Sequence, residues 1–103
     1  MFHILLALAD GERHGYAIMQ EVESRTDGEV QLPPGTLYRT IKLLLQAEFI
    51  ERSGPERDPL EHDTRRVNYR ITRSGRKLAA LEASRLAKIV ALARAKKLIP
   101  DLA

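Results

Sequence analysis

From Thr72 to Lys97 the chain runs without a proline, and Leu78, Leu81, Leu86, Ile89, Val90 and Ala93 fall on one side of a helical projection. Thr72 is placed to cap the start of this helix and Pro100 to close its end. A helix of about 25 residues is ~37 Å long, more than a single small domain can cover along its whole length. The chain has 103 residues, enough for one modest core and not two. The apolar side of the last helix is therefore expected to meet a second copy, with Leu78, Leu81, Leu86, Ile89, Val90 and Ala93 as the dimerisation residues.

Three shorter helical patterns precede it. Phe2 to Ala9 is apolar and stops at Asp10-Gly11, a pair suited to a turn. His14-Gly15-Tyr16 opens a second pattern, with Ile18, Met19 and Val22 at three- and four-residue spacing, ending near Thr26-Asp27-Gly28. Pro33-Pro34-Gly35-Thr36 starts a third, because proline in the first turn has no needed donor to lose and already holds a helical φ. Leu37, Ile41, Leu44 and Leu45 form its inner stripe, and Gly35, Tyr38, Arg39, Lys42 and Gln46 share the opposite side. After Glu48 the period shortens to two. Phe49–Arg52 and Val67–Ile71 read as strands that pair in a hairpin, joined by a charged loop from Ser53 to Arg66 that holds Gly54, Pro55 and Pro59. Tyr16 and Tyr69 are expected in the core or at an interface.

Charge is unevenly placed along this layout. Residues 1–53 carry 5 basic and 8 acidic side chains, whereas residues 54–103 carry 12 and 6. Clustered Lys and Arg suit a polyanion, since each phosphate neutralised releases counterions. A composition of 44% hydrophobic and 30% charged residues marks a folding chain and not a disordered one. The absence of cysteine excludes disulfides, thiolate nucleophiles and thiolate zinc sites. The longest apolar run, Ile4–Ala9, is far shorter than the ~20 residues of a membrane span, and Met1-Phe2-His3 lacks a basic leader, so a cytoplasmic location and no membrane partner are expected.

Catalysis finds no support. No serine or carboxylate constellation accompanies His14, and Gly11-x-x-x-Gly15 lacks the lysine and serine of a phosphate loop. Glu61-His62-Asp63 places three donors side by side, a poor geometry for one ion, so neither a metal nor another cofactor is expected.

Three helices followed by a hairpin with a charged tip give a mainly α fold with a small β-hairpin wing (α+β): a winged helix-turn-helix over residues 1–72, then a dimerisation helix over 73–103. In such a fold the third helix presents polar, small and basic side chains to base edges of double-stranded DNA. Gly35, Thr36, Tyr38, Arg39 and Lys42 fill that role, with Arg57, Arg65 and Arg66 suited to the wing. A glycine at the helix N-terminus lets a phosphate approach the free amides and the positive dipole end.

The run His14-Gly15-Tyr16, then Pro34-Gly35-Thr36-Leu37-Tyr38, then Phe49-Ile50, then Tyr69-Arg70-Ile71-Thr72-Arg73-Ser74-Gly75 resembles the PadR-like transcriptional regulators. The resemblance spans residues 4–98. It implies a homodimer joined largely through the C-terminal helix that binds a pseudo-palindromic operator, usually represses transcription, and in some members answers to a small-molecule effector. A single C-terminal helix and a start almost directly at helix one fit the short subclass. The chain has no tryptophan, which removes the flat stacking surface some short members use for aromatic ligands. The acidic N-terminal half and the acid-rich loop leave open a second reading, a winged-helix protein-interaction module without DNA readout.

Overall fold

The apolar stripes of the first three helices converge on one core. The computed structural model describes residues 1–53 and 67–100. In chain order these form α1 (Phe2–Leu8), β1 (Arg13–His14), α2 (Gly15–Arg25), α3 (Pro34–Gln46), β2 (Ile50–Ser53), β3 (Asn68–Ile71) and α4 (Arg73–Ala95). Ile4, Leu5 and Leu8 from α1, Ile18 and Val22 from α2, and Leu37, Ile41 and Leu44 from α3 are all fully buried. Each such side chain contributes about 1.5–3 kcal/mol relative to an exposed one. Ile50 and Tyr69 close the core from the sheet side. Of the two tyrosines expected in the core or at an interface, Tyr69 lies in the core, whereas Tyr16 stands 48% exposed in the first turn of α2. Its position one residue after the helix start turns it away from the Ile18–Val22 stripe.

The sheet is a three-stranded antiparallel one in the order β1-β3-β2, a winged helix-turn-helix arrangement with one strand more than the expected hairpin. Register is pinned by Ile50 opposite Ile71, and by Glu51 opposite Arg70, whose Nε donates to the Glu51 carboxylate at 2.7 Å. The extra strand, β1, is two residues long and pairs Arg13 with Tyr69 and His14 with Asn68. Two residues show no alternation, so this strand exists only because β3 offers it a free edge.

Arg13 also clasps the first two helices. Its Nε donates to the Ala7 carbonyl at 2.9 Å and lies 2.5 Å from Glu21 Oε2, and its terminal nitrogen lies 3.4 Å from Asp10. Glu21 in turn reaches Arg25 one turn on, at 3.1 Å. One guanidinium thus satisfies an orphan carbonyl at the end of α1 and ties it to α2. The latter helix starts on His14, whose Nδ1 accepts from the Ala17 amide at 3.2 Å, as a helix-start residue should.

The start of α4 is fixed by a knot of four hydrogen bonds. Thr72 Oγ1 accepts from the Gly75 amide at 3.1 Å, forming the expected cap, and donates to the Glu48 carbonyl at 2.6 Å. Ser74 Oγ donates to the same carbonyl at 2.9 Å, and the Thr72 amide donates to the Phe49 carbonyl at 3.0 Å. Glu48 turns the chain out of α3 with φ 62°, aiming these carbonyls at the helix end. Gly75 completes the knot: a Cβ there would stand 1.9 Å from the Phe49 carbonyl oxygen. At that separation backbone must move.

Beyond this junction α4 soon leaves the domain. Leu78 and Ala79 pack against the core, but Leu81, Leu86, Ile89, Val90 and Leu92 stand exposed, at 64%, 37%, 51%, 42% and 58% respectively. The helix closes with Lys97 at φ 60° and the Leu98 amide donating to the Ala93 carbonyl, two residues before the end expected from sequence. Among the described residues no helix is long and apolar enough to cross a membrane.

Gly75→Ala should destabilise the fold by about 3 kcal/mol or more, because the collision is with backbone and cannot be relieved by a rotamer change. A large fall in the urea midpoint checks this.

Candidate nucleic-acid interface

The outer side of α3 is a strip of small, polar and basic groups. Gly35, Thr36, Arg39, Lys42 and Gln46 are all exposed, and the inner residues Leu37, Ile41 and Leu44 are buried, so the helical period divides the two sides cleanly. Leu45 is half-buried at the margin. Among the described residues, neither Arg39 nor Lys42 makes an ion pair or a side-chain hydrogen bond within the chain. Thr40 Oγ1 is turned inward on its own helix, donating to the Thr36 carbonyl at 2.9 Å. Leu43, 50% exposed, is an apolar neighbour of this strip that sequence reading left out of both sides. The run Leu43-Leu44-Leu45 hides it, since only one of three consecutive leucines can face fully inward on a helix.

Pro34 occupies the first turn of α3, and no side chain caps the helix start. The first internal bond is donated by the Leu37 amide, to Pro33 at 2.9 Å, so the Gly35 and Thr36 amides have no partner within the helix.

Three glycines separate by what surrounds them. A Cβ on Gly75 would strike the Phe49 carbonyl, and one on Gly15 would stand 2.8 Å from the Tyr38 hydroxyl oxygen. A Cβ on Gly35 would meet nothing within 4 Å, and this residue has no positive φ to explain it. Among the described residues, neither packing nor backbone conformation therefore calls for glycine at position 35. What glycine provides there is open access to the helix N-terminus from outside.

Tyr38 is placed differently from its four companions. It is half-buried against the core margin, and its ring lies on Gly15 at the start of α2. It therefore sits at the seam where α2 and α3 meet, beside the exposed strip and not in its middle. The His14-Gly15-Tyr16 and Gly35-Thr36-Leu37-Tyr38 segments meet at this contact, a pairing that spacing along the chain does not reveal. The arginines expected on the wing, Arg57, Arg65 and Arg66, lie outside the described residues, as does the Glu61-His62-Asp63 triplet. Among the described residues no group of carboxylates and histidines is gathered for a metal.

A model of the "Transcriptional regulator PadR-like family" matches residues 4–81. The chain belongs to the PadR-like family. Members of this family of transcriptional regulators bind DNA, which makes the strip on α3 the candidate interface of this PadR-like chain. Its fold is similar to that of a transcriptional regulator from Clostridium thermocellum, with a TM-score of 0.73 and 26% identity, covering 90% of this chain and 84% of that one. RosR from H. salinarum matches with a TM-score of 0.60 and 25% identity over 92% and 91% of the two chains. A PadR family transcription regulator from Clostridium difficile shares the fold at 21% identity, with a TM-score of 0.67 over 90% of this chain and 94% of that one. Among curated relatives, an uncharacterised 37.1 kDa protein of transposon TN4556 from Streptomyces fradiae is 35% identical over 86 residues, 84% of this chain. An uncharacterised protein X from Lysinibacillus sphaericus is 33% identical over 73 residues, 71% of this chain. The matches span only 22% and 64% of those relatives' own lengths.

Gly15→Ala should cost about 1–3 kcal/mol by displacing Tyr38. In a Tyr38→Ala background the same change should cost markedly less, because the two residues share one contact. A double-mutant cycle by chemical denaturation checks the coupling; additive effects would separate the two residues.

Proposed function

We propose that the chain is a sequence-specific repressor that binds a pseudo-palindromic operator as a homodimer in the cytoplasm. Residues 1–72 read DNA and residues 73–103 hold the second copy. The observation that carries this reading is the pairing of Gly35, whose missing Cβ no described residue requires, with Arg39 and Lys42, which have no ion-pair partner among the described residues, on one exposed side of α3. A glycine at the helix start admits a phosphate to the free amides. One turn on, Arg39 reaches the O6 and N7 acceptors of a guanine, and Lys42 a phosphate or a second base. Thr36 adds a hydroxyl that donates or accepts. Tyr38, held at the α2–α3 seam, offers its hydroxyl to the phosphate backbone from the flank of the strip. Arg65 and Arg66 are proposed as wing contacts.

Homodimerisation follows from the exposed apolar side of α4. Leu81, Leu86, Ile89 and Val90 are open to solvent in the single chain, while Ala93 is half-buried and Leu78 packs mainly on its own domain. A row of large apolar groups running along a helix past the edge of its domain marks an association surface. A two-fold dimer sets two recognition helices about 34 Å apart, one turn of DNA. Residues with this arrangement bind and release an operator; none of them is assigned a catalytic step.

The test is titration onto DNA from the region upstream of the chain's own gene, at several salt concentrations. Binding should weaken with salt at a log–log slope of about −0.9 per phosphate neutralised. A flat response without sequence preference would instead support the interaction-module reading. Arg39→Ala should cost about 1–3 kcal/mol and loosen specificity at one base position, whereas Lys42→Ala, if the lysine meets phosphate, should lower the slope by about 1 with specificity kept.

Gly35→Ala separates function from folding. Alanine is the better helix former by up to about 1 kcal/mol and meets no atom of the chain here, so the fold should be as stable or slightly more stable. DNA affinity should fall, read by electrophoretic mobility shift alongside thermal denaturation. Retained affinity would remove Gly35 from the interface.

A further inference from the structure

The exposed side of α4 carries a polar break. Leu78, Glu82, Arg85, Ile89 and Leu92 recur at alternating four- and three-residue spacing, the period that keeps one seam of a helix facing a partner helix. Within that seam Glu82 and Arg85 are bound to each other. Arg85 Nε donates to Glu82 Oε2 at 3.1 Å, and a terminal guanidinium nitrogen reaches Oε1 at 2.5 Å, a two-point contact. Leu81 and Leu86 flank the pair on its two sides and are exposed. Glu82 also lines a cavity of about 280 Å³ with Met1, Phe2, Leu5 and Leu78, where α1 meets α4. An acid–base pair in the middle of an apolar seam weakens a purely hydrophobic contact, so its value lies in choosing partner and alignment.

We propose that the Glu82–Arg85 pair sets the register and identity of self-association: a second copy lays its α4 antiparallel on this one, about a two-fold axis between residues 83 and 84, so that Glu82 of each copy faces Arg85 of the other. This inference rests on the homodimer reading above and specifies it. In this alignment Leu81 also lies opposite Leu86 of the second copy, while Leu92 extends past the matched stretch. Ile89 of the second copy meets only the uncovered edge of Leu78, beside the open cavity at Met1, Phe2 and Leu5. The two acids and two bases form a four-membered cluster with an opposite charge at each contact, walled by Leu81 and Leu86. A parallel arrangement would instead set Glu82 against Glu82 and Arg85 against Arg85. Because each carboxylate already accepts from its own guanidinium, the pair enters the interface with part of its hydrogen bonding in place. That bond also holds the Glu82 carboxyl below its ordinary pKa.

The experiment uses the full chain and native mass spectrometry, with one partner labelled with ¹⁵N so that mixed dimers have their own mass. Glu82→Arg should raise the dimer dissociation constant roughly tenfold or more, by setting arginine against arginine. The double variant Glu82→Arg/Arg85→Glu should recover most of the loss. Mixed with the wild-type chain, the double variant should form far less than the statistical half share of mixed dimers, because acid then meets acid and base meets base. A half share of mixed dimers would overturn the inference while leaving the homodimer intact. An enriched share would also overturn it, by pointing to the parallel arrangement. A wild-type chain that is monomeric throughout would overturn the homodimer reading itself.

Discussion

The direction of the last quarter of the chain depends on a contact with no spare room: Gly75 against the carbonyl of Phe49. Thr72 and Ser74 both donate to the Glu48 carbonyl, and the Thr72 amide donates to Phe49, so the first turn of α4 is bolted to the segment that leaves α3. Only a residue without Cβ allows the helix this close, and only the left-handed turn at Glu48 presents the two carbonyls to it. The knot joins the helix that carries the polar strip to the helix that carries the exposed apolar seam. A change of angle at this point would move one relative to the other by an amount that grows along ~35 Å of helix. In the proposed homodimer that angle sets the spacing between the two copies of α3.

The polar side of α3 depends on a second, looser set of fixings. Arg13 ties the end of α1 to α2, and β1, two residues long, ties the same segment to the sheet. Tyr38 then locks α3 onto the start of α2 through Gly15. The result is a buried interior made almost entirely of Ile, Leu and Val, with Arg39, Lys42 and Thr36 left outside on a helix whose position is set from three directions. Side chains that read a base need such a support, because an error of position of about 1 Å is enough to lose the contact.

Much of this was legible from residue spacing. The four helices, the two longer strands, the Thr72 cap and the split of α3 into inner and outer sides all follow from periods of 3.6 and 2 and from local capping chemistry, which act over a few residues. The features that spacing did not reveal are pairings between distant segments. Strand β1 has too few residues to show a period and forms only beside β3. Tyr38 shares a helical side with Arg39 on a projection, yet its long ring reaches sideways to Gly15. Leu78 falls in the same apolar row as Ile89 and Leu92, but α1 covers it and not them.

The glycines state the division most plainly. The sequence by itself determined that three helices and a hairpin precede a long amphipathic helix, and that the third helix bears a polar, basic side, because hydrophobic period and charge are local properties. It offered a reason for glycine at position 35, an open helix N-terminus, but none for positions 15 and 75. Only the tertiary structure decided that Gly75 makes room for a carbonyl, Gly15 for a tyrosine ring, and Gly35 for none of the described residues. Whether a missing Cβ is needed depends on which atom, brought from far along the chain, arrives within van der Waals distance.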